Sequence, residues 1–413
     1  MSRATTGIFR SLRNANYRIW AAGALVSNVG TWMQRTAQDW LVLTQLTPHN
    51  AAAVGMVMAL QFGPQLLLLP WTGFAADHYN QRKLLMATQA AMGVLALALG
   101  LFTITGIVEL WHVYVFAFLS GCASAFDAPV RQIFVAELVD ETDLSNAVAL
   151  NSTSFNVARM IGPAVAGLTI ASMGTAWAFL LNGASFFAVL ASLFLLRASG
   201  LNTHVRALRT KGSLTEGARY VGSRPDLKAI LLMLFLIGTF GMNFPIFIST
   251  MAVNVFHADA RGYGLLSSIM AIGTIAGALL AAHRTRPRFI SLLIGAIVFG
   301  LGCALAALAP SYWSFAGALV VIGVGALTFS NTTNSLMQLT TEPAMRGRVM
   351  ALRVGIALGC TPIGAPMVGW VADHLGPRWA LAVGAASGIA AAGVAIHFMI
   401  RKKHLLHGVA KPS

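Results

Sequence analysis

From Leu84 to Val108 the chain runs 25 residues without a charged side chain, "LLMATQAAMGVLALALGLFTITGIV". As a helix this stretch is about 37 Å long, enough to cross the roughly 30 Å hydrocarbon core of a bilayer. Similar runs recur along the whole sequence. Twelve can be placed, at 18–46, 51–74, 84–106, 111–130, 147–172, 175–197, 227–256, 262–282, 289–309, 313–335, 348–373 and 378–400. The fold class this implies is an all-α membrane protein with twelve transmembrane helices. Composition agrees. Hydrophobic residues are 57% and charged residues 10%, against about 25% charged in an ordinary soluble domain. So little charge could not cover a surface in water.

The formal charge of +15 would suggest nucleic acid in a soluble protein. Here the basic residues follow the positive-inside rule. With the N-terminus in the cytoplasm, 24 of the 28 Lys and Arg residues fall on the cytoplasmic side, Arg261 and Arg378 fall outside, and Arg35 and Arg159 remain within the membrane. One miscounted helix would erase that asymmetry, so both termini are expected in the cytoplasm. The expected setting is a bacterial inner membrane, with lipids as surroundings and no nucleic-acid partner. The first apolar run lacks a small-residue cleavage site and reads as a span rather than a signal peptide. Cys122, Cys303 and Cys360 lie in separate apolar segments, which gives neither a disulfide framework nor a metal spacing. No metal and no cofactor are expected.

The two halves repeat. An offset of 202 pairs Trp111 with Trp313, Gly121 with Gly323, Gly162 with Gly364, Gly167 with Gly369, Gly174 with Gly376 and Trp177 with Trp379. Apolar composition alone yields small-residue matches, but two tryptophan matches in one register point to duplication. The expected domains are a six-helix bundle over 1–197, a basic cytoplasmic linker over 198–225 and a second six-helix bundle over 226–413. A pseudo-two-fold axis would relate the bundles, as in many transporters. Within the linker, Ser213 followed by Glu216 reads as a capping box opening a helix to about Val221. That helix would lie on the inner membrane surface or serve as a solvated connector.

Local motifs sharpen this into a resemblance. "GFAADHYNQRK" is similar to the loop after the second helix of the major facilitator superfamily, with Gly73, Asp77, Arg82 and Lys83 matching and His78, Asn80 and Gln81 departing. "ARMIGPAVAG" in the fifth span resembles the antiporter motif of drug–proton exchangers through Gly162, Pro163 and Gly167. Small residues there allow close helix approach, and a proline kinks the helix. "LRNANYRIW…SNVGTWMQ", "FDAPVRQIFVAEL" and "RGRVMALR" look like the exporter branch that includes bacterial enterobactin and macrolide effluxers. The resemblance implies the major facilitator fold, export by alternating access, and a cytoplasmic gate formed by Gly73, Asp77, Arg82 and Lys83, which Asp127 and Arg131 would join. The arginine that many proton antiporters carry within the fourth helix is absent from "YVFAFLSGCASA".

Polar groups at bilayer depth mark function. At 100° per residue, Ser27, Asn28, Thr31, Gln34, Arg35, Gln38 and Asp39 share one stripe of the first span. Measured from Arg18, Arg35 is roughly 25 Å and Asp39 roughly 31 Å along the helix. Asp39 is the one acid placed inside a span and away from cytoplasmic ends and outer loops. It reads as the proton-coupling group, with Arg35 as modulator, as a structural partner of Arg35, or as a substrate contact. Arg159, on a face with Ser152 and Asn156, reads as a cavity wall or as a cap for helix carbonyls. Two arginines against one acid would suit an anionic or zwitterionic substrate. Gln61 and Gln65, Asn243 and Thr361 complete the candidate cavity, each equally readable as a packing or kink device beside a proline.

No P-loop is present, which excludes ATP-driven pumping. No acidic, His or Cys cluster supports a membrane enzyme. The expected function is a secondary exporter, a proton antiporter moving a small organic compound such as a drug, siderophore or metabolite, and acting as a monomer. A lipid or lysophospholipid flippase of the same fold is the alternative, and a non-transporting receptor-like member a third class.

Overall fold

The computed structural model describes residues 9–197, 214–282 and 288–408, without the side chains of Asp77, Leu214 and residues 281–282 and 402–408. Among the described residues there is no strand. Fifteen α-helices follow a short 3₁₀ turn at Arg10–Arg13. They are α1 (Ala15–Leu41), α2 (Ala51–Leu67), α3 (Leu69–His78), α4 (Gln81–Ile104), α5 (Leu110–Glu137), α6 (Glu141–Met173), α7 (Thr175–Leu195), α8 (Leu214–Ser223), α9 (Pro225–Leu236), α10 (Phe244–Thr250), α11 (Ala260–Ala282), α12 (Phe289–Leu308), α13 (Tyr312–Thr340), α14 (Arg346–His374) and α15 (Pro377–Gly408).

Among the described residues nine helical segments are long and apolar enough to cross a membrane, and α2 with α3 forms a tenth, bent by 57°. Pro64 and Pro70 flank the break at Leu68 and remove two backbone donors, which explains the bend. Two further helices, α1 with 27 residues and α6 with 33, have the length to span but carry too many polar side chains to pass on apolarity alone.

The seventh expected span is broken. After α9 the chain makes a π turn at Ile237–Gly241 and leaves helical geometry at Met242 and Asn243. It then restarts at α10 with Pro245 in the first turn, where no N–H is needed. The break is sealed locally. The Met242 N–H donates to the Ile237 carbonyl at 2.9 Å. The fully buried Asn243 amide donates to the Thr239 carbonyl at 2.7 Å. The Asn243 side-chain oxygen and the Thr239 hydroxyl are buried at the break without hydrogen-bond partners among the described residues.

α5 continues past the fourth expected span, 111–130, to Glu137. Asp127 and Arg131 lie roughly 15 Å and 9 Å before the end of that helix.

The chain divides into two compact units. Unit 1 comprises Met1–Pro48, Leu60–Leu208 and Ala258–Ser268; unit 2 comprises His49–Ala59, Arg209–His257 and Ile269–Ser413. Unit 1 takes in the start of α11 and unit 2 the start of α2.

Glycines set both insertions. In unit 1 a Cβ on Gly167 of α6 would lie 2.6 Å from the Ala260 carbonyl oxygen, and Gly264 rests on the Pro163 carbonyl. In unit 2 a Cβ on Gly369 of α14 would lie 2.6 Å from the Ala51 carbonyl oxygen, and Gly55 rests on the Ala365 carbonyl. The offset of 202 maps Gly167 onto Gly369 and residue 163 onto residue 365, so the duplication repeats a helix–helix contact. Gly162 likewise lies against Trp32 and Met33 of α1, and Gly364 against Thr239 of the seventh span.

Each unit also docks a short segment against the start of its fifth helix. In unit 1, Arg10 pairs with Asp143 at 3.0 Å, the Ser11 hydroxyl donates to Asn146 at 2.8 Å, and the Tyr17 hydroxyl donates to the Ala147 carbonyl at 2.8 Å. Below them Tyr17, Trp20, Phe134, Leu138 and Leu193 form a buried cluster. In unit 2, α8 packs on α14. Glu216 pairs with Arg348 at 3.1 Å, and Arg224 bridges Asp226 at 2.8 Å and the Thr340 carbonyl at 3.1 Å. The linker helix is therefore docked on its own unit. The Glu216 carboxylate is engaged by Arg348, and Ser213, its expected capping partner, lies outside the described residues.

The glycine contacts make a direct prediction. Gly167→Ala and Gly369→Ala force backbone displacement in close-packed pairs, an overpacking cost of about 1–3 kcal/mol. Each should lower the thermal unfolding midpoint in detergent, whereas Gly393→Ala, at a position with open space around it, should leave it unchanged.

Candidate transport site

Members of the polar stripe of α1 meet several different neighbours inside unit 1. Ser27 is buried, and its carbonyl accepts from the Thr31 hydroxyl at 2.9 Å. Asn28 accepts from Arg131 of α5 at 3.3 Å. Gln34 accepts from the Asn182 amide of α7 at 2.6 Å. Gly30 is what lets α7 come that close, since a Cβ there would lie 2.5 Å from the Ser185 hydroxyl. Gln38 is buried, and its amide nitrogen has no hydrogen-bond partner among the described residues.

Asp39 is buried and accepts a hydrogen bond from the Tyr263 hydroxyl of α11 at 3.2 Å. Tyr263 is itself buried and stacks on Trp40, with ring centroids 6.1 Å apart and planes 19° apart. Gly264, beside it, is held on α6 by the Pro163 carbonyl. The antiporter-like run of α6 therefore fixes the place from which Tyr263 reaches Asp39.

Arg35, one turn away, is not the ion-pair partner of Asp39. Among the described residues it forms no ion pair within 4.0 Å. Its guanidinium carbon lies over the Trp32 and Phe62 rings, at 5.0 Å and 5.3 Å from their centroids. Its Nε is buried and has no hydrogen-bond partner among the described residues. Trp32 also meets Phe155 of α6 edge-on at 5.7 Å. Arg35 and Asp39, at i, i+4, thus make no ion-pair contact within 4.0 Å, and each has its own neighbours: two aromatic rings for Arg35 and the Tyr263 hydroxyl for Asp39.

Asp127 and Arg131 form a buried network in unit 1. Arg131 donates to Asp127 through Nη2 at 3.0 Å and Nε at 3.1 Å. The other carboxylate oxygen accepts from Gln89 at 2.6 Å and Thr88 at 3.0 Å. Four donors meet this carboxylate, which satisfies it as an ion. One donor meets Asp39. The two acids of unit 1 at membrane depth thus have opposite environments.

The remaining expected residues are distributed as follows. Gln61 and Gln65 are half-buried on α2 beside Pro64, and the Gln61 backbone lies against Gly121 of α5. Asn156 donates to the Ser152 carbonyl at 2.8 Å within α6. Arg159 is half-buried one turn further on. Asn243 and Thr361 belong to unit 2, where Thr361 is half-buried.

In the loop motif, Gly73 is half-buried, Arg82 donates to the Phe194 carbonyl of α7 at 3.2 Å, and the Lys83 N–H is capped by Asn80 at 3.0 Å. The Asp77 side chain lies outside the described residues. Among the described residues no group of His, Cys, Asp and Glu could hold a metal ion.

Several partners were not expected from the sequence: Tyr263, Asn182, Gln89, Thr88 and Phe62. Asn182 and Gln89 carried a usable signal, an amide within an apolar span. Tyr263 and Phe62 carried none, because an aromatic in an apolar run reads as packing. Asp373, near the end of α14, was not among the expected site residues. Its carboxylate accepts the N–H groups of Ala51 at 2.6 Å and Ala52 at 2.8 Å, placing negative charge at the N-terminus of α2.

Comparison with known proteins follows this geometry. Residues 6–409 match the profile of the transmembrane secretion effector family of the major facilitator superfamily. The chain is 24% identical to the Staphyloferrin A transporter of Staphylococcus aureus (84% of this chain, 87% of that protein). It is 25% identical to the multidrug efflux pump Tap of Mycolicibacterium fortuitum (86% and 88%). It is 24% identical to the enterobactin exporter EntS of Citrobacter koseri (81% and 80%). The solved nucleoside transporter NupG superposes with a TM-score of 0.73 at 13% identity, covering 93% of this chain and 99% of that one, which identifies a shared fold.

The Asp127 network is testable by stability. Asp127→Asn leaves Arg131 buried without its counter-ion, a loss of about 3–5 kcal/mol. The double variant Asp127→Asn/Arg131→Gln should recover much of that loss. Thermal unfolding in detergent, analysed as a double-mutant cycle, checks this.

Proposed function

Because the chain belongs to the transmembrane secretion effector family of the major facilitator superfamily, a family of transporters and not of enzymes, we propose that it is a proton-driven exporter of a small organic compound, acting as a monomer in a bacterial inner membrane with both termini in the cytoplasm. The full expected set of twelve spans belongs to this reading, with α1 and α6 as the two spans too polar to be recognised by composition. Their polar faces are the working surface. Relatives named for a siderophore transporter, a multidrug efflux pump and an enterobactin exporter support export of a small molecule. No observation favours the flippase alternative.

The proton site is Asp39. The observation that carries this is its environment: a buried carboxylate with the Tyr263 hydroxyl as its described hydrogen-bond donor and no ion pair within 4.0 Å among the described residues. A carboxylate with one donor gives up less when it takes a proton than one with four, and Asp127 has four. A charge at this depth costs several kcal/mol unless it is met, so protonation is coupled to whatever opens or closes the surroundings. In the proposed cycle Asp39 takes a proton from the outer side and releases it to the cytoplasm after rearrangement, while substrate moves the opposite way by alternating access. Tyr263 holds the carboxylate in place through a hydrogen bond from an element, α11, that begins in one unit and ends in the other. Arg82, Lys83 and the Asp127–Arg131 network belong to the cytoplasmic end of this cycle, with Asp77 as the gate residue of the loop motif.

The experiment is transport in proteoliposomes with an imposed pH gradient, using a drug that the wild-type chain concentrates. Asp39→Asn should abolish concentration against a gradient while leaving downhill exchange of the same drug. An Asp39→Asn variant that still concentrates the drug would remove Asp39 from the coupling role.

A further inference from the structure

We infer that the edge of the Arg35 guanidinium is the subsite for an anionic group of the transported compound, which makes the substrate an organic anion or zwitterion; this rests on the export reading above. The guanidinium carbon lies over the Trp32 ring, 5.0 Å from its centroid, and over the Phe62 ring, 5.3 Å from its centroid. The group carries a planar fork of N–H donors whose geometry matches a carboxylate or a similar oxyanion. None of those donors is used by the described residues. Nε is buried without a hydrogen-bond partner, and no ion pair reaches Arg35.

A cation at bilayer depth with no contact counter-ion is expensive, and such residues mark ligand or ion paths. Asp127 is met by Arg131, Gln89 and Thr88, and Asp39 accepts from Tyr263 without an ion-pair contact to Arg35.

The two aromatic contacts meet the cation without occupying its N–H donors. Lysine, a point charge on a flexible stem, offers no planar fork.

Binding to the purified full chain in detergent tests this, with carboxyfluorescein as the anionic probe and ethidium as the cationic one, both followed by fluorescence anisotropy. Wild type should bind carboxyfluorescein more tightly than ethidium. Arg35→Gln should weaken carboxyfluorescein at least tenfold and leave ethidium unchanged. Arg35→Lys, which keeps the charge and serves if the glutamine variant does not fold, should restore only part of the loss. Wild type that binds carboxyfluorescein no better than ethidium overturns the inference, as does equal loss of both probes or full activity of the lysine variant. The export reading fails separately. Wild type that binds carboxyfluorescein but moves no compound under a pH gradient refutes export alone. Wild type that exports ethidium and never binds carboxyfluorescein refutes this subsite alone.

Discussion

A charge at bilayer depth must be met by partners or relieved by a proton, and the polar architecture of this chain follows from that constraint. Unit 1 resolves it in three ways. Asp127 and Arg131 neutralise each other and recruit Gln89, Thr88 and Asn28. Arg35 is stabilised by two aromatic faces and leaves its donors open. Asp39 keeps the Tyr263 hydroxyl as its described donor. The first arrangement is a finished network suited to holding helices together. The other two are incomplete, and incompleteness at this depth is where a proton or an anion finds a place.

Packing supplies the frame for those groups. Van der Waals contact between close backbones is the main attraction available between helices in lipid, and small residues make it possible. The Gly167–Ala260 and Gly264–Pro163 contacts of unit 1 have counterparts in Gly369–Ala51 and Gly55–Ala365 of unit 2. Duplication therefore reproduced a contact as well as a count of helices. The two copies have diverged in their polar reinforcement. In unit 1 the inserted helix carries Tyr263 to Asp39; in unit 2 the inserted helix is capped by Asp373. One copy became a candidate proton site, and the other a charge–dipole clamp.

Much of this was legible in the sequence, and the exceptions have identifiable causes. Apolar runs located the spans, and the 202-residue offset located the contacts at Gly162, Gly167 and Gly369. α5 runs past the expected span to Glu137, because Asp127 and Arg131 pair one turn apart and do not interrupt the helix. The stripe of α1 gave the right face but the wrong neighbours, since periodicity says which side chains share a direction and not what each one meets. Gln34 went to Asn182 and Asn28 to Arg131 for that reason. The Arg35–Asp39 spacing suggested a pair, and each group meets its own neighbours instead. Tyr263 was invisible, because one hydroxyl in an apolar helix has no pattern that distinguishes it from packing.

The central claim is that Asp39 changes protonation while Tyr263 holds it. Infrared difference spectroscopy of the full chain in lipid, stepped from mildly alkaline to mildly acidic conditions, reads this directly through the stretching band of a protonated carboxylic acid. The account predicts such a band in wild type, its loss in Asp39→Asn, and a shift of its frequency in Tyr263→Phe, where the hydrogen bond is gone. A spectrum with no component that depends on Asp39 would contradict it.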